Sequence, residues 1–251
     1  MRRFKLLGLA AAAMIFVSGS SSGAAEFTDA QKGEIGKIVR DYLLKNPEIL
    51  QEVSAQLQQK QAALQEKQAI EGIKQNASEI FRSSTDHSQG NLKGDVTVVE
   101  FFDYNCPYCK RSFPTITSLL KDDNKVRVVM KEFPILGPGS VFASRAAIAS
   151  IEQGKYWQFH EAMMLAQGKV DEPRVMTIAK QVGLDTDRLT KDMKADSVTA
   201  IIDKNNTLAQ KLGINGTPAF VIGDQLLPGA VELADMQSRV AQVRAKPCSF
   251  C

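Results

Sequence analysis

Val96-Thr97-Val98-Val99-Glu100-Phe101-Phe102 runs directly into Asp103-Tyr104-Asn105-Cys106-Pro107-Tyr108-Cys109. The first half is β-branched and aromatic with a single charge, the composition of a buried strand beginning near Asp95. A helical stretch from about Cys106 to Leu120 follows. Cys106 therefore stands between a strand end and a helix start, where unpaired amide N–H groups and the helix dipole face its sulfur. A thiolate is stabilised at such a place, so its pKa falls and it becomes the attacking group. Cys109, one turn later, can close a disulfide onto Cys106 or resolve a mixed one. Pro107 suits the first helical turn because its missing N–H would be unpaired there.

Half of a zinc site is the competing reading of a C-x-x-C pair. It would need two further N or S ligands, and the chain offers only His87, His160 and the cysteines Cys248 and Cys251. Sequence context favours redox chemistry: the pair follows a strand, opens a helix, and lies in a chain that begins like an exported protein. Arg2, Arg3 and Lys5 precede an apolar run from Leu6 to Val17, and small or polar residues lead to Ala25. This is the layout of a signal peptide over residues 1–25, cleaved after Ala24 or Ala25, with a run too short to span a bilayer. An uncleaved anchor is the alternative. Removing the three basic residues takes Lys+Arg from 31 to 28, equal to the 28 Asp+Glu, so the charge falls from +3 to 0. Nothing then points to nucleic acid, and no later run is long enough to cross a membrane. Export implies an oxidising compartment, the periplasm, where disulfides persist.

Outward from the motif, Val126 to Phe133 reads as a second strand. Residues 141–212 are mostly helical, with breaks near Gly154, Lys169 and Gly183 to Thr186. Ala219–Ile222 and Gln225–Leu227 form a hairpin turning at Gly223-Asp224, and a last helix covers about residues 232–244. Toward the N-terminus, Thr28 and Gln31 make a capping box, and Ile35, Ile38, Val39, Tyr42 and Leu43 recur at helical spacing. Asn46-Pro47 starts a second helix that runs to about Arg82, with Leu50, Val53, Leu57 and Leu64 along one stripe. An apolar face of this kind needs a partner, which points to an oligomerisation arm at residues 26–82; a solvated linker helix is the bland alternative. Residues 83–94 read as a linker, and 95–251 as the catalytic domain. The plan is α/β, with one central sheet and a helical insertion.

A strand ending in C-P-Y-C, a helix, and a later Gly216-Thr217-Pro218 before a hairpin resemble the thioredoxin superfamily. The separation of Cys109 from Pro218 is 109 positions (218 − 109), filled with helices, and resembles its DsbA-like branch with an inserted helical subdomain. The resemblance implies a cis Thr217–Pro218 bond beside the cysteines, with Thr217 and Pro218 presenting substrate. It implies that Pro107 and Tyr108 tune the redox pair. It also implies a buried Glu100–Lys131 pair behind the site, either handling protons or purely structural. The arm, Val39-Arg40-Asp41-Tyr42-Leu43-Leu44-Lys45-Asn46-Pro47-Glu48, resembles the ScsC-like subgroup, whose members oligomerise through such arms and include disulfide isomerases. The expected function is thiol–disulfide exchange on exported proteins, as isomerase and/or oxidase. No cofactor or metal is required, and a membrane redox partner would reset the site.

Cys248 and Cys251 depart from that family pattern. A local disulfide, an electron shuttle to Cys106 and Cys109, and a soft Cu(I) site are the three readings. A metal-handling or adhesive surface protein is accordingly the alternative function. His160 is expected in helix packing, and the adjacent Met163 and Met164 make no helical metal stripe. Asn76-Ala77-Ser78 is a chance match to a glycosylation pattern.

Overall fold

The computed structural model describes residues 26–251; the expected signal segment lies outside the described residues. Of the described residues, 26–58 and 59–251 form two compact units. The first contains α1 (Asp29–Lys45) and the opening turns of α2 (Glu48–Gln75). Thr28 caps α1 through the anticipated box, its hydroxyl accepting from the Gln31 amide while the Gln31 side chain accepts from the Thr28 amide. No residue of α1 is buried. Ile38, Tyr42, Leu50 and Val53 are each more than half exposed, so this chain alone leaves these four apolar side chains uncovered.

The second unit is built on a five-stranded sheet of order β1-β3-β2-β4-β5. Its strands are β1 (Ser88–Gly90), β2 (Val96–Phe102), β3 (Val126–Glu132), β4 (Ala219–Ile222) and β5 (Gln225–Pro228). β2 and β3 are parallel and the other pairs antiparallel. α4 (Pro107–Asp122) makes the crossover from β2 to β3. The insertion comprises α5 (Pro138–Ser150), a 3-10 turn, α6 (Tyr156–Leu165), α7 (Glu172–Gln181), α8 (Thr186–Asp192) and α9 (Asp196–Lys211). It breaks where expected, at Gly154 and Gly183 with positive φ and between α6 and α7, and once more between α8 and α9.

β2 is buried on both faces, which explains its near-continuous apolar run. Val98, Phe102, Val128 and Met130 pack under α4 and the insertion, together with α10 (Leu233–Ala245). Val99, Phe101, Val129 and Val221 face the other way, against Ile73 of α2, Ile80 and Phe81 of α3 (Ala77–Phe81), and Leu208 of α9. Here the structure departs from the expected boundaries. The helix proposed to run to Arg82 breaks at Asn76, whose side-chain amide donates to the Gly72 carbonyl at 2.8 Å and so satisfies the end of α2. Beyond the break, α3 is core. The stretch read as a linker supplies edge strand β1 and places Asp86, whose side chain is 1% exposed, in the interior.

Candidate active site

Cys106 is the N-cap of α4, with extended backbone and Pro107 in the first turn behind it. Both its thiol and that of Cys109 are free and buried, at 4% and 0% exposure. The Cys109 side chain and the amides of Tyr108 and Cys109 bond the Cys106 sulfur, and Thr217 contributes from the facing loop. Together they outweigh desolvation and hold the Cys106 thiol down at about 5. Burial does the opposite to Cys109, pushing its thiol far up, with the Cys106 hydrogen bond and the negative charge of Glu100 adding to the effect. The two sulfurs are thus strongly unlike: one is a thiolate at neutral pH and the other a thiol.

Thr217 and Pro218 come to this pair from 111 positions away. The Thr217–Pro218 bond is cis, and Cys106 Sγ lies 3.1 Å from the Thr217 carbonyl, to which its protonated form donates. Pro218 is held by β5, its carbonyl accepting from Gly229 N at 2.8 Å. Tyr108 is 55% exposed at the rim, with the Arg111 guanidinium 4.3 Å from its ring centre.

Glu100 lies under the cysteines, on the same sheet face as Phe102, and burial raises its carboxyl to about 8, with the Cys106 thiolate adding to the shift. It has no ion-pair partner among the described residues. This corrects the expected Glu100–Lys131 pair. The parallel register sets Phe101, not Glu100, opposite Lys131, and side chains of successive residues leave opposite faces of a strand. Lys131 therefore points to the face covered by α3 and α9. There its ammonium donates to Asp86 Oδ2 and to the Glu79 carbonyl, both at 2.6 Å, while Asn205 donates to Asp86 Oδ1 at 3.0 Å. Glu132, the next residue, shares Glu100's face. Its carboxylate accepts from Tyr104, Tyr156 and Ser144 at 3.0, 2.8 and 2.7 Å, and burial raises it to about 8.

Three residues not singled out in the sequence fix the turn that presents Cys106. Buried Asp103 accepts from Asn105 N, Ser140 Oγ, Ile135 N and Leu136 N, all within 2.9 Å. Asn105 bonds both the N–H and the carbonyl of Val170. Ser140 joins the two, donating to Asp103 and accepting from Asn105. The signal was present: an Asp and an Asn two apart between a strand and a helix are turn formers whose side chains seek backbone amides. Their partners, 32 to 65 positions away, were not visible.

His160 of α6 packs between the insertion and the sheet side of the domain, against Phe102, Tyr104 and Phe113. Tyr104 is its one hydrogen-bond partner among the described residues, at 3.0 Å, and burial lowers the His160 pKa to about 3. His87 stacks on Tyr156 with ring centres 4.3 Å apart. Among the described residues no group of three or more His, Cys, Asp and Glu side chains is arranged to hold a metal ion. Cys248 and Cys251 form the local disulfide. The fold sets this pair apart from Cys106 and Cys109. The tail borders Val96 and Thr97 at the start of β2, whereas Cys106 follows that strand's end, a separation of roughly 20 Å at strand rise.

The chain matches the description "DSBA-like thioredoxin domain" over residues 97–241 and "Copper resistance protein ScsC N-terminal domain" over residues 31–63. A thioredoxin-like oxidoreductase from Silicibacter pomeroyi DSS-3 is 51% identical, with a TM-score of 0.66 over 67% of this chain and 97% of that one. Proteus mirabilis ScsC in a transitional conformation is 32% identical, with a TM-score of 0.65 over 88% of this chain and 98% of that one. A probable disulfide bond formation protein D from Bacillus anthracis is 29% identical over 61% of this chain and 76% of its own length. The first curated relatives, Na(+)/H(+) antiporters NhaA from two Salinispora species, are much longer: the chain spans 26% and 25% of their length. With its strand–C-x-x-C–helix, facing cis proline and helical insertion, the chain belongs to the DsbA-like thioredoxin-domain family of thiol–disulfide oxidoreductases.

Proposed function

We propose that the protein exchanges disulfides with cysteine-containing exported proteins in the periplasm, as isomerase and/or oxidase, and works as a homo-oligomer. The contrast between a Cys106 thiol near 5 and a suppressed Cys109 thiol carries the reading. In the reduced enzyme the Cys106 thiolate attacks a substrate disulfide. One substrate sulfur bonds to Cys106 and the other leaves as a thiolate. In isomerisation that thiolate, or another from the substrate, attacks the mixed disulfide and releases Cys106. Alternatively Cys109 gives up its proton and displaces the substrate, closing Cys106–Cys109 and leaving the substrate reduced. Oxidation runs this last path backwards. Its leaving groups are Cys109 and then Cys106, whose stabilised thiolate makes release from the mixed disulfide easy.

Buried Glu100 is suited to take the Cys109 proton, being a carboxyl poised near 8 whose charge is felt at that sulfur. Thr217, whose carbonyl now accepts from Cys106, offers a backbone edge for an extended substrate segment. Exposed Tyr108, Ile135 and Leu136, on segments tied to Asp103 or flanking the cysteines, supply apolar contact. A membrane redox partner would reset the pair.

The oligomer reading rests on the uncovered residues Ile35, Ile38, Val39, Tyr42, Leu50 and Val53, and on the match of residues 31–63 to the ScsC N-terminal description. Several active sites around one substrate raise the effective concentration of thiols, which favours reshuffling over simple oxidation. The test couples alkylation with refolding. Iodoacetamide should modify Cys106 alone, with a midpoint near pH 5, and the mature protein should reactivate a scrambled disulfide protein. A midpoint near that of an ordinary thiol, or first labelling at Cys109, would overturn the assignment.

A further inference from the structure

The C-terminal segment is docked to the body. Phe250 packs against the α3–α9 core, and its carbonyl accepts from Arg82 at 3.0 Å. Beside it a cavity of about 310 Å³ has Cys248 and Cys251 in one wall and Arg82, Thr97 and Arg127 in another. Nearby Arg244 is neutralised by Asp95 and Asp123. Arg82 and Arg127 make no ion pair among the described residues; burial lowers the Arg127 pKa, and the charge of Arg82 adds to the effect. A disulfide thus shares a small polar hollow with two cations that make no ion pair; the one carboxylate in its lining, Asp95, is bound to Arg244.

We propose that Cys248–Cys251 is a second thiol–disulfide centre, and that its reductant is a small anionic monothiol held by Arg82 and Arg127. The thiolate bonds to Cys251, the exposed partner, and the Cys248–Cys251 bond breaks with its electron pair leaving on Cys248. A second thiolate attacks the sulfur of the bound molecule, forming the small-molecule disulfide and releasing the Cys251 thiolate. Two monothiols are oxidised, one protein disulfide is reduced, and the protons of the thiols end on Cys248 and Cys251. Cations beside the disulfide stabilise both the incoming anion and the departing thiolate. The site works at the opposite end of β2 from Cys106 and does not depend on the exchange chemistry proposed there.

The full-length mature chain carrying Cys106→Ser and Cys109→Ser isolates the tail. Its reduction by glutathione (anionic), 2-mercaptoethanol (neutral) and cysteamine (cationic) is followed by mass spectrometry at equal thiolate concentration. Glutathione should react about tenfold faster than cysteamine, the factor expected from one charge-assisted contact. Arg82→Gln should reduce that preference, since Arg127 remains, 1 M salt should remove it, and Arg82→Lys should keep most of it. Equal rates for the three thiols, or a preference undiminished by Arg82→Gln or by salt, would overturn the proposal. The comparison of thiols on otherwise unaltered residues keeps the test valid should Arg82→Gln loosen the tail.

Discussion

Breaking the Asp86–Lys131 pair tests where the register places Lys131. Both side chains are essentially inaccessible, at 1% and 0% exposure, and the ammonium spends its other contact on the Glu79 carbonyl. Asp86→Ala would leave a buried cation with one neutral acceptor, a situation that costs about 3–5 kcal/mol. Burial already pulls Lys131 below its ordinary pKa while Asp86 holds it up, so without Asp86 it should deprotonate more readily. The loss should therefore shrink as pH rises. Asp86→Leu combined with Lys131→Met replaces the pair by apolar groups and should return to within about 1–2 kcal/mol of the parent. Urea unfolding of the reduced protein, followed by the fluorescence of the single tryptophan, Trp157 of α6, reads these differences in the body that holds the pair. Cys106 alkylation in Lys131→Met supplies the second measurement. Because Lys131 and Glu100 leave opposite faces, its midpoint should stay near pH 5. A midpoint that moves by a unit or more, or an Asp86→Ala loss below about 1 kcal/mol, would refute the argument.

Glu100→Gln should slow the closing of Cys106–Cys109 from a trapped mixed disulfide and flatten a pH profile that in the parent rises through about 8; an unchanged profile would remove Glu100 from proton handling. Glu132 binds its proton in the folded state up to about 8 but loses it near 4.5 when unfolded, so it lowers stability progressively as pH rises between those values. Glu132→Gln should flatten that decline in a urea series, with Glu100 supplying what remains. Deleting residues 26–58 should leave a folded body that exchanges thiols as a monomer by sedimentation, whereas deleting 26–82 strips Ile73, Ile80 and Phe81 from the core and should not fold. Asp103→Ala should free the Ile135 and Leu136 amides, Ser140 and Asn105 from a common acceptor, cost about 2–4 kcal/mol, and raise the alkylation midpoint of Cys106.

The sequence by itself determined whatever depends on neighbours along the chain. A β-branched and aromatic run next to C-P-Y-C names a strand followed by a helix N-cap, and a thiol at that cap is acidic wherever the helix is packed. Thr28 with Gln31, and Gly223 with its positive φ, likewise mark a cap and a turn through their own backbones. Tertiary structure decided what depends on which face a side chain leaves by and what it meets there. Glu100 and Lys131 are charged residues on adjacent buried strands, and pairing them is reasonable until the register is known. A parallel alignment of 100 with 130 sends them to opposite sides of the sheet, because the side-chain period of a strand is two. The ammonium's true partner, Asp86, sat in a polar stretch that reads as a linker, and α3 looked like the end of an amphipathic arm. Neither shows its burial locally, since five residues of helix and a three-residue edge strand carry too little periodicity to reveal a face. The tail cysteines were legible as a pair from their spacing alone. Their distance from Cys106 follows only from the folded sheet, which carries β2 away from the tail before the chain reaches the active-site turn.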